Sequence, residues 1–242
     1  MDLGIAGKVA LVTASSKGLG KASALALARE GAKVVITARG EEALSKAREE
    51  IEAEAGEGEV LAIRADITDP DAPARVVRDT LDRFGGLNIL VANAGGPPPG
   101  RALDVTDEQI ADAVNANLTT SVRLVREALP ALRSGGAGRI CCITSYSVKQ
   151  PVPNLALSNL ARTGLWAWAK TAARDLFPDV TLNLVCPGPH ATDRMIQLGG
   201  SDSPMGDPGD FGRIVAFLCS TSASYISGTA VMVDGAASAG LL

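Results

Sequence analysis

Aromatic residues are scarce in this chain. Its 242 residues include two tyrosines, two tryptophans, four phenylalanines and a single histidine. One histidine cannot supply the paired imidazoles of common metal centres. The four cysteines, Cys141, Cys142, Cys186 and Cys219, have neither zinc-ligand spacing nor the density of a small disulfide framework. They are read as reduced, buried and structural, with no metal expected. Cys141 and Cys142 are neighbours on an expected strand, so they should face opposite sides of a sheet. No apolar run is long enough to span a bilayer, and Met1 to Thr13 lacks the charged start of a signal peptide. A cytoplasmic location is expected. Positive charge is also lacking. Lys and Arg number 23 against 27 Asp and Glu, a net charge of −4. That balance gives no case for nucleic-acid or membrane partners.

Apolar and amphipathic segments are abundant. Hydrophobic residues make up 46% of the chain. Short apolar runs at Lys8–Thr13, Lys33–Ala38, Val60–Ala65, Leu87–Ala92, Gly138–Thr144, Thr181–Val185 and Thr229–Val233 read as strands buried on both faces. Amphipathic stretches at Leu19–Glu30, Glu41–Ala55, Ala72–Phe84 and Leu155–Phe177 alternate with them. The rhythm predicts an α/β fold, a seven-stranded parallel doubly wound sheet with helices on both faces. No linker, repeat or charge block divides residues 1–242, so one Rossmann-like domain is expected. Gly95–Arg101 and Gly199–Gly209 read as loops.

The first strand runs into Thr13-Ala14-Ser15-Ser16-Lys17-Gly18-Leu19-Gly20 and then a helix. Glycines at this point let a pyrophosphate approach the helix N-terminus, where free N–H groups and the helix dipole favour anions. The spacing resembles the Thr-Gly-x-x-x-Gly-x-Gly turn of the short-chain dehydrogenase/reductase family, with Ala14 in place of the first glycine. The resemblance extends through Asp66 with Ile67 after the third strand, Asn93-Ala94-Gly95 after the fourth and Pro187-Gly188 with Thr192 after the sixth. It continues into Tyr225-Ile226-Ser227-Gly228 and Val233-Asp234-Gly235, and it is similar to the 3-oxoacyl-carrier-protein reductases of that family. It implies a nicotinamide cofactor held by Thr13, Ser15, Ser16, Lys17, Gly18, Leu19, Gly20, Asp66, Ile67, Asn93, Ala94, Gly95, Pro187, Gly188 and Thr192.

The second strand ends at Ala38-Arg39. An acidic residue there would bind the ribose 2′-hydroxyl of NAD. With no carboxylate to repel a 2′-phosphate, and with Arg39 and Lys17 as cations, NADP(H) is the expected cofactor.

The family's catalytic set is asparagine, serine, tyrosine and lysine. Asn117 and Ser145 match the first two. The resemblance puts the tyrosine at 158 and the lysine at 162, where this chain has Ser158 and Arg162. Neither Tyr146 nor Tyr225 has a lysine four residues on. Ser158 and Arg162 still share one helix face. Arg162 can bind ribose hydroxyls but is too basic to relay a proton, and an alkyl hydroxyl is a far weaker acid than a phenol. Tyr146 and His190 are the alternative proton donors by position. Family members carry a longer segment after Thr192 that closes over the substrate; here it is short, which suits a more open pocket or a carrier-tethered substrate.

Three functions remain open on these residues. The leading one is an NADPH-dependent ketoreductase or dehydrogenase of a small or tethered carbonyl or alcohol, with a non-standard proton relay. The others are a non-redox cyclase, dehydratase or isomerase, and a catalytically silent cofactor-binding protein. The resemblance further implies a homotetramer or homodimer joined through Asp107–Leu132 and Leu155–Phe177. Trp166 and Trp168 on the second of these fit either an interface or the core.

Overall fold

The computed structural model describes residues 2–55, 59–201 and 204–240. Positions 202 and 203 of the expected Gly199–Gly209 loop lie outside the described residues. Seven strands form one parallel sheet: β1 (Val9–Val12), β2 (Lys33–Ala38), β3 (Val60–Arg64), β4 (Ile89–Ala92), β5 (Gly138–Ile143), β6 (Val180–Pro187) and β7 (Ala230–Val233). Their spatial order is β3-β2-β1-β4-β5-β6-β7. The order reverses between β1 and β4, the place where α/β sheets open a ligand crevice.

The helices are α1 (Gly18–Arg29), α2 (Glu41–Ala55), α3 (Ala72–Phe84), α4 (Asp107–Val114), α5 (Thr120–Ser134), α6 (Ala156–Leu176), α7 (Asp193–Gln197) and α8 (Pro208–Leu218). Two apolar layers cover the sheet. One joins the sheet to α3, α5 and α6 through Val76, Val77, Leu124, Leu132, Leu165 and Ala169. The other joins it to α1, α2 and α8 through Ala24, Leu27, Leu44, Ile51, Phe211 and Val215. Strands covered on both faces need no polar alternation, which is why they read as unbroken apolar runs. Cys142 lies in the first layer and Cys141 in the second, on opposite faces as expected. Trp166 and Trp168 are half-buried and pack against the first layer.

The Asp107–Leu132 stretch consists of two helices joined by a π-helical turn at Asn115–Thr119. Its start follows a capping box, in which Thr106 accepts from the Gln109 N–H and the Gln109 side chain accepts from the Thr106 N–H. The expected Gly199–Gly209 loop gives way to α8 before its end, because Asp207 caps that helix and Pro208 occupies its first turn. Among the described residues no helix is long and apolar enough to cross a membrane.

Candidate active site

In a parallel sheet every loop that leaves a strand's carboxyl end opens on the same edge. The glycine turn after β1, Asn93 after β4, Ser145 after β5 and Thr192 after β6 therefore gather along one crevice.

The turn after β1 is tied to both neighbouring strands. Thr13 Oγ1 donates to Asn93 O at 2.7 Å and accepts from the Asn93 N–H at 2.9 Å. Asn93 Nδ2 donates to Ala14 O at 3.0 Å. Ser15 N–H donates to Thr37 O at 2.9 Å, Ser15 Oγ donates to Val12 O, and the Thr37 N–H donates back to Ser15 Oγ. Ala14 sits at φ 48°, a left-handed conformation that an alanine adopts at a cost of about 1 kcal/mol. A Cβ on Gly20 would lie 2.6 Å from Ala14 O and 2.7 Å from Asn93 Nδ2, so only glycine fits. Helix α1 starts with no side-chain cap and no acidic residue in its first turn. Its first N–H groups are thus available to an anion.

At the far end of this crevice, Arg39 is exposed and no carboxylate stands at Ala38. A second cation there was missed from sequence. Arg64 is in register with Ala38, and its Nε donates to Arg39 O at 3.1 Å. Strand register could have revealed it. Lys17 instead pairs with Asp193 of α7 at 3.4 Å. Asp66 Oδ1 accepts from both the N–H and the hydroxyl of Thr68. The Thr68 hydroxyl, its backbone N–H and the charge of Arg39 hold the Asp66 carboxyl below its ordinary value. The buried Ile67 lies in the apolar layer beneath. Ser16, Leu19, Ala94 and Gly95 lie in or beside these turns, and the Leu19 carbonyl accepts from Ser23 Oγ at 2.7 Å.

On the β5 side, Ser145 is half-buried and its Oγ accepts from the Ser147 N–H at 3.1 Å. Tyr146 follows in the short 3-10 turn Tyr146–Val148 and is half-buried. Helix α6 packs against this turn and against the π turn. It buries Ser158 and, one turn on, Arg162. Arg162 Nη1 donates to Ile143 O at 3.0 Å and to Thr144 O at 2.9 Å, clamping the end of β5. Burial first, and then the neighbouring Arg194, push the guanidinium down to about 10, so it remains charged at neutral pH. Asn117, in the π turn, is 3% exposed. Its Nδ2 donates to Ala113 O at 3.4 Å, while its buried Oδ1 has no partner among the described residues. π turns are frequent at functional sites.

His190 is 4% exposed. Its Nδ1 lies 3.0 Å from Gly188 O, its ring meets Phe211 edge-on at 5.4 Å, and its backbone bridges to Gly206. These contacts fasten the loop after β6. Tyr225 is 89% exposed and meets the Phe177 ring. The cysteines are free and buried, with Cys142 and Cys186 pushed up to about 12 and about 11 by burial. Such thiols are poor nucleophiles. Among the described residues no cluster suits a metal ion.

The short segment after Thr192 is anchored rather than loose. Thr192 caps α7 by accepting from the Met195 N–H, and Arg194 Nη2 donates to Pro97 O at 2.6 Å, latching α7 to the loop after β4. The C-terminal segment also joins the wall of the crevice, because the Ala239 N–H donates to Gln150. Neither latch has a sequence signature, since both end on backbone groups.

The family model described as enoyl-(acyl carrier protein) reductase matches residues 13–238. The dehydrogenase/reductase SDR family member 4 of Rattus norvegicus is 32% identical, over 96% of this chain and 87% of that protein. Versicolorin reductase 1 of Aspergillus parasiticus is 32% identical, over 96% of each chain. The crystal structure of L-sorbose reductase from Gluconobacter frateurii, complexed with NADPH and L-sorbose, superposes with a TM-score of 0.91. It is 31% identical, over 97% of this chain and 98% of that one.

Proposed function

The chain belongs to the short-chain dehydrogenase/reductase family, and on that premise we propose that it is an NADPH-dependent oxidoreductase of carbonyl or alcohol substrates whose proton relay lacks the usual phenol. The observation that carries this reading is the cradle after β1: an uncapped helix N-terminus behind a turn where Gly20 admits no side chain. The residues present fit the cofactor. Thr13, Ser15, Ser16, Lys17, Gly18, Leu19 and Gly20 would hold its diphosphate, and Arg39 with Arg64 would hold a 2′-phosphate. Asp66 and Ile67 would hold the adenine, Asn93, Ala94, Gly95 and Arg162 the nicotinamide ribose, and Pro187, Gly188 and Thr192 the nicotinamide amide. The NADPH in the similar L-sorbose reductase supports the same choice.

When bound, the reduced nicotinamide supplies a hydride to the substrate carbon. The chain's own residues deal with the oxygen, which gains negative charge and then a proton. Ser145 Oγ donates a hydrogen bond to it, and the Arg162 charge stabilises it electrostatically. Ser158 is too weak an acid to originate the proton, so it passes one on. Asn117 Oδ1 holds the solvent end of that path, with the Tyr146 phenol as the alternative donor. General acid catalysis typically contributes about 10²–10⁴-fold. The relay therefore predicts slow turnover with cofactor binding intact. His190 is left with a positioning role. The protein is proposed to be cytoplasmic and to pair into a homodimer or homotetramer through Asp107–Leu132 and Leu155–Phe177.

The test is NADPH oxidation by the purified protein over a panel of ketones and aldehydes, beside Ser145→Ala. Turnover that Ser145→Ala lowers about a hundredfold, with NADPH affinity unchanged, supports the reading. NADPH binding with no oxidation of any carbonyl overturns the redox step and favours a non-redox or silent protein.

A further inference from the structure

Two arginines reach the substrate side of the crevice without an acidic partner. Arg162 is 8% exposed, and it spends one nitrogen, Nη1, on the carbonyls of Ile143 and Thr144. Its Nε and Nη2 have no protein acceptor among the described residues. Arg194 comes from α7. Its guanidinium lies so close over Gly96 that a Cβ there would be 3.0 Å from Nε and 3.1 Å from Nη2. Only Nη2 is used, on Pro97 O. Both stand at the carboxyl edge of the sheet, Arg162 at the end of β5 and Arg194 against the loop after β4.

The chain does not balance this charge. The ion pairs among the described residues involve neither Arg162 nor Arg194. Asp234, which acts on the neighbouring Cys186, is occupied by Ser238 and by the N–H groups of Ala236 and Ser238. Lys149 acts on Cys186 as a further cation. Arg162 is buried and Arg194 half-buried, and a guanidinium withdrawn from water without a counter-charge is costly, a cost that a nearby bound anion lowers. The cofactor's own anionic groups have other partners in the reading above: α1 faces the diphosphate, and Arg39 with Arg64 faces the 2′-phosphate.

We propose that the substrate carries a carboxylate, held by the free donors of Arg194 between the loop after β4 and α7, with the charge of Arg162 on the same edge of the sheet. This rests on the site being the substrate pocket of the oxidoreductase described above. The planar fork of arginine matches a carboxylate with two parallel hydrogen bonds. Gly96 has a reason to be glycine, since a side chain would push Arg194 out of this position. The short α7 is then the carrier of a specificity residue, latched over the pocket by Arg194 itself.

The test is calorimetric binding to the full chain saturated with NADP⁺. The probes are pyruvate, phenylpyruvate and levulinate, each beside its methyl ester, which keeps the ketone and removes the charge. At least one acid is expected to bind about 10–100-fold tighter than its ester, the range for hydrogen bonds to charged groups. Arg194→Gln should bring that acid down to the affinity of its ester and leave NADP⁺ affinity unchanged. Arg194→Lys, which keeps the charge but loses the fork, should recover part of the preference. Equal binding of acids and esters, binding of no acid, or a preference that survives Arg194→Gln overturns the proposal. So does an Arg194→Gln variant whose main loss is NADP⁺ affinity. Acid-selective binding without any NADPH oxidation leaves this inference standing and removes the redox reading. Oxidation of NADPH by neutral ketones with no acid preference does the reverse.

Discussion

Gly20→Ala tests the cradle at its tightest point. The added Cβ meets Ala14 O at 2.6 Å, Asn93 Nδ2 at 2.7 Å and Ser15 Cα at 3.1 Å. A carbon normally stands about 3.5 Å or more from such atoms, so something must move by nearly 1 Å. Two of the three atoms are backbone, and the third belongs to the side chain that fastens the turn. Strain from an inserted methyl costs about 1–3 kcal/mol. Losing the 3.0 Å bond from Asn93 Nδ2 to Ala14 O costs about 1 kcal/mol. Alanine's better helix propensity returns about 1 kcal/mol. The net expectation is a loss of about 1–3 kcal/mol, or about 2–12 °C in melting temperature for a chain of this size. The larger effect falls on binding. Displacing the first N–H groups of α1 removes charge-assisted hydrogen bonds to a diphosphate, so NADPH affinity should fall about 10–100-fold. Thermal unfolding with and without NADPH reads both effects, the second as the shift produced by the cofactor. A variant that melts with the wild type and shows the same NADPH-induced shift would refute the placement of the diphosphate at this turn.

Ala14→Gly relieves the φ 48° alanine and should stabilise the protein by about 0.5–1 kcal/mol, read from chemical denaturation. Arg39→Asp should weaken NADPH about 10–100-fold while leaving NADH affinity equal or better, measured by fluorescence titration of both cofactors. Asp66→Asn tests the pH dependence. The folded carboxyl is held below its usual value by Thr68, so its contribution is present above about pH 4 and disappears as pH falls through the folded value. The stability gap between wild type and Asp66→Asn should therefore be open at neutral pH and close in acid, followed by urea unfolding across that range.

The fold was legible because its cause is local and repetitive. Strands covered on both faces must be apolar throughout, so β2 and the start of β5 fell where the runs predicted. Parallel pairing then left helices as the only crossovers. The π turn at Asn115–Thr119 was not legible, because inserting one residue into a helical ladder leaves the apolar period almost unchanged. Of the candidate site, the glycine turn before α1 was legible from spacing, and so was the placing of Ser158 and Arg162 on one helix face.

What the chain's order of residues decided alone was the architecture, the glycine turn after β1 and the absence of a tyrosine–lysine pair on α6. Those follow from covalent spacing and the periods of helix and strand. Folding in three dimensions decided which groups meet across distant segments. Arg194 latches onto Pro97 nearly a hundred residues earlier, Arg64 joins Arg39 through strand register, and His190 turns its ring to Phe211. Such meetings are governed by backbone carbonyls and packing surfaces, which every sequence offers alike, so no motif announces them.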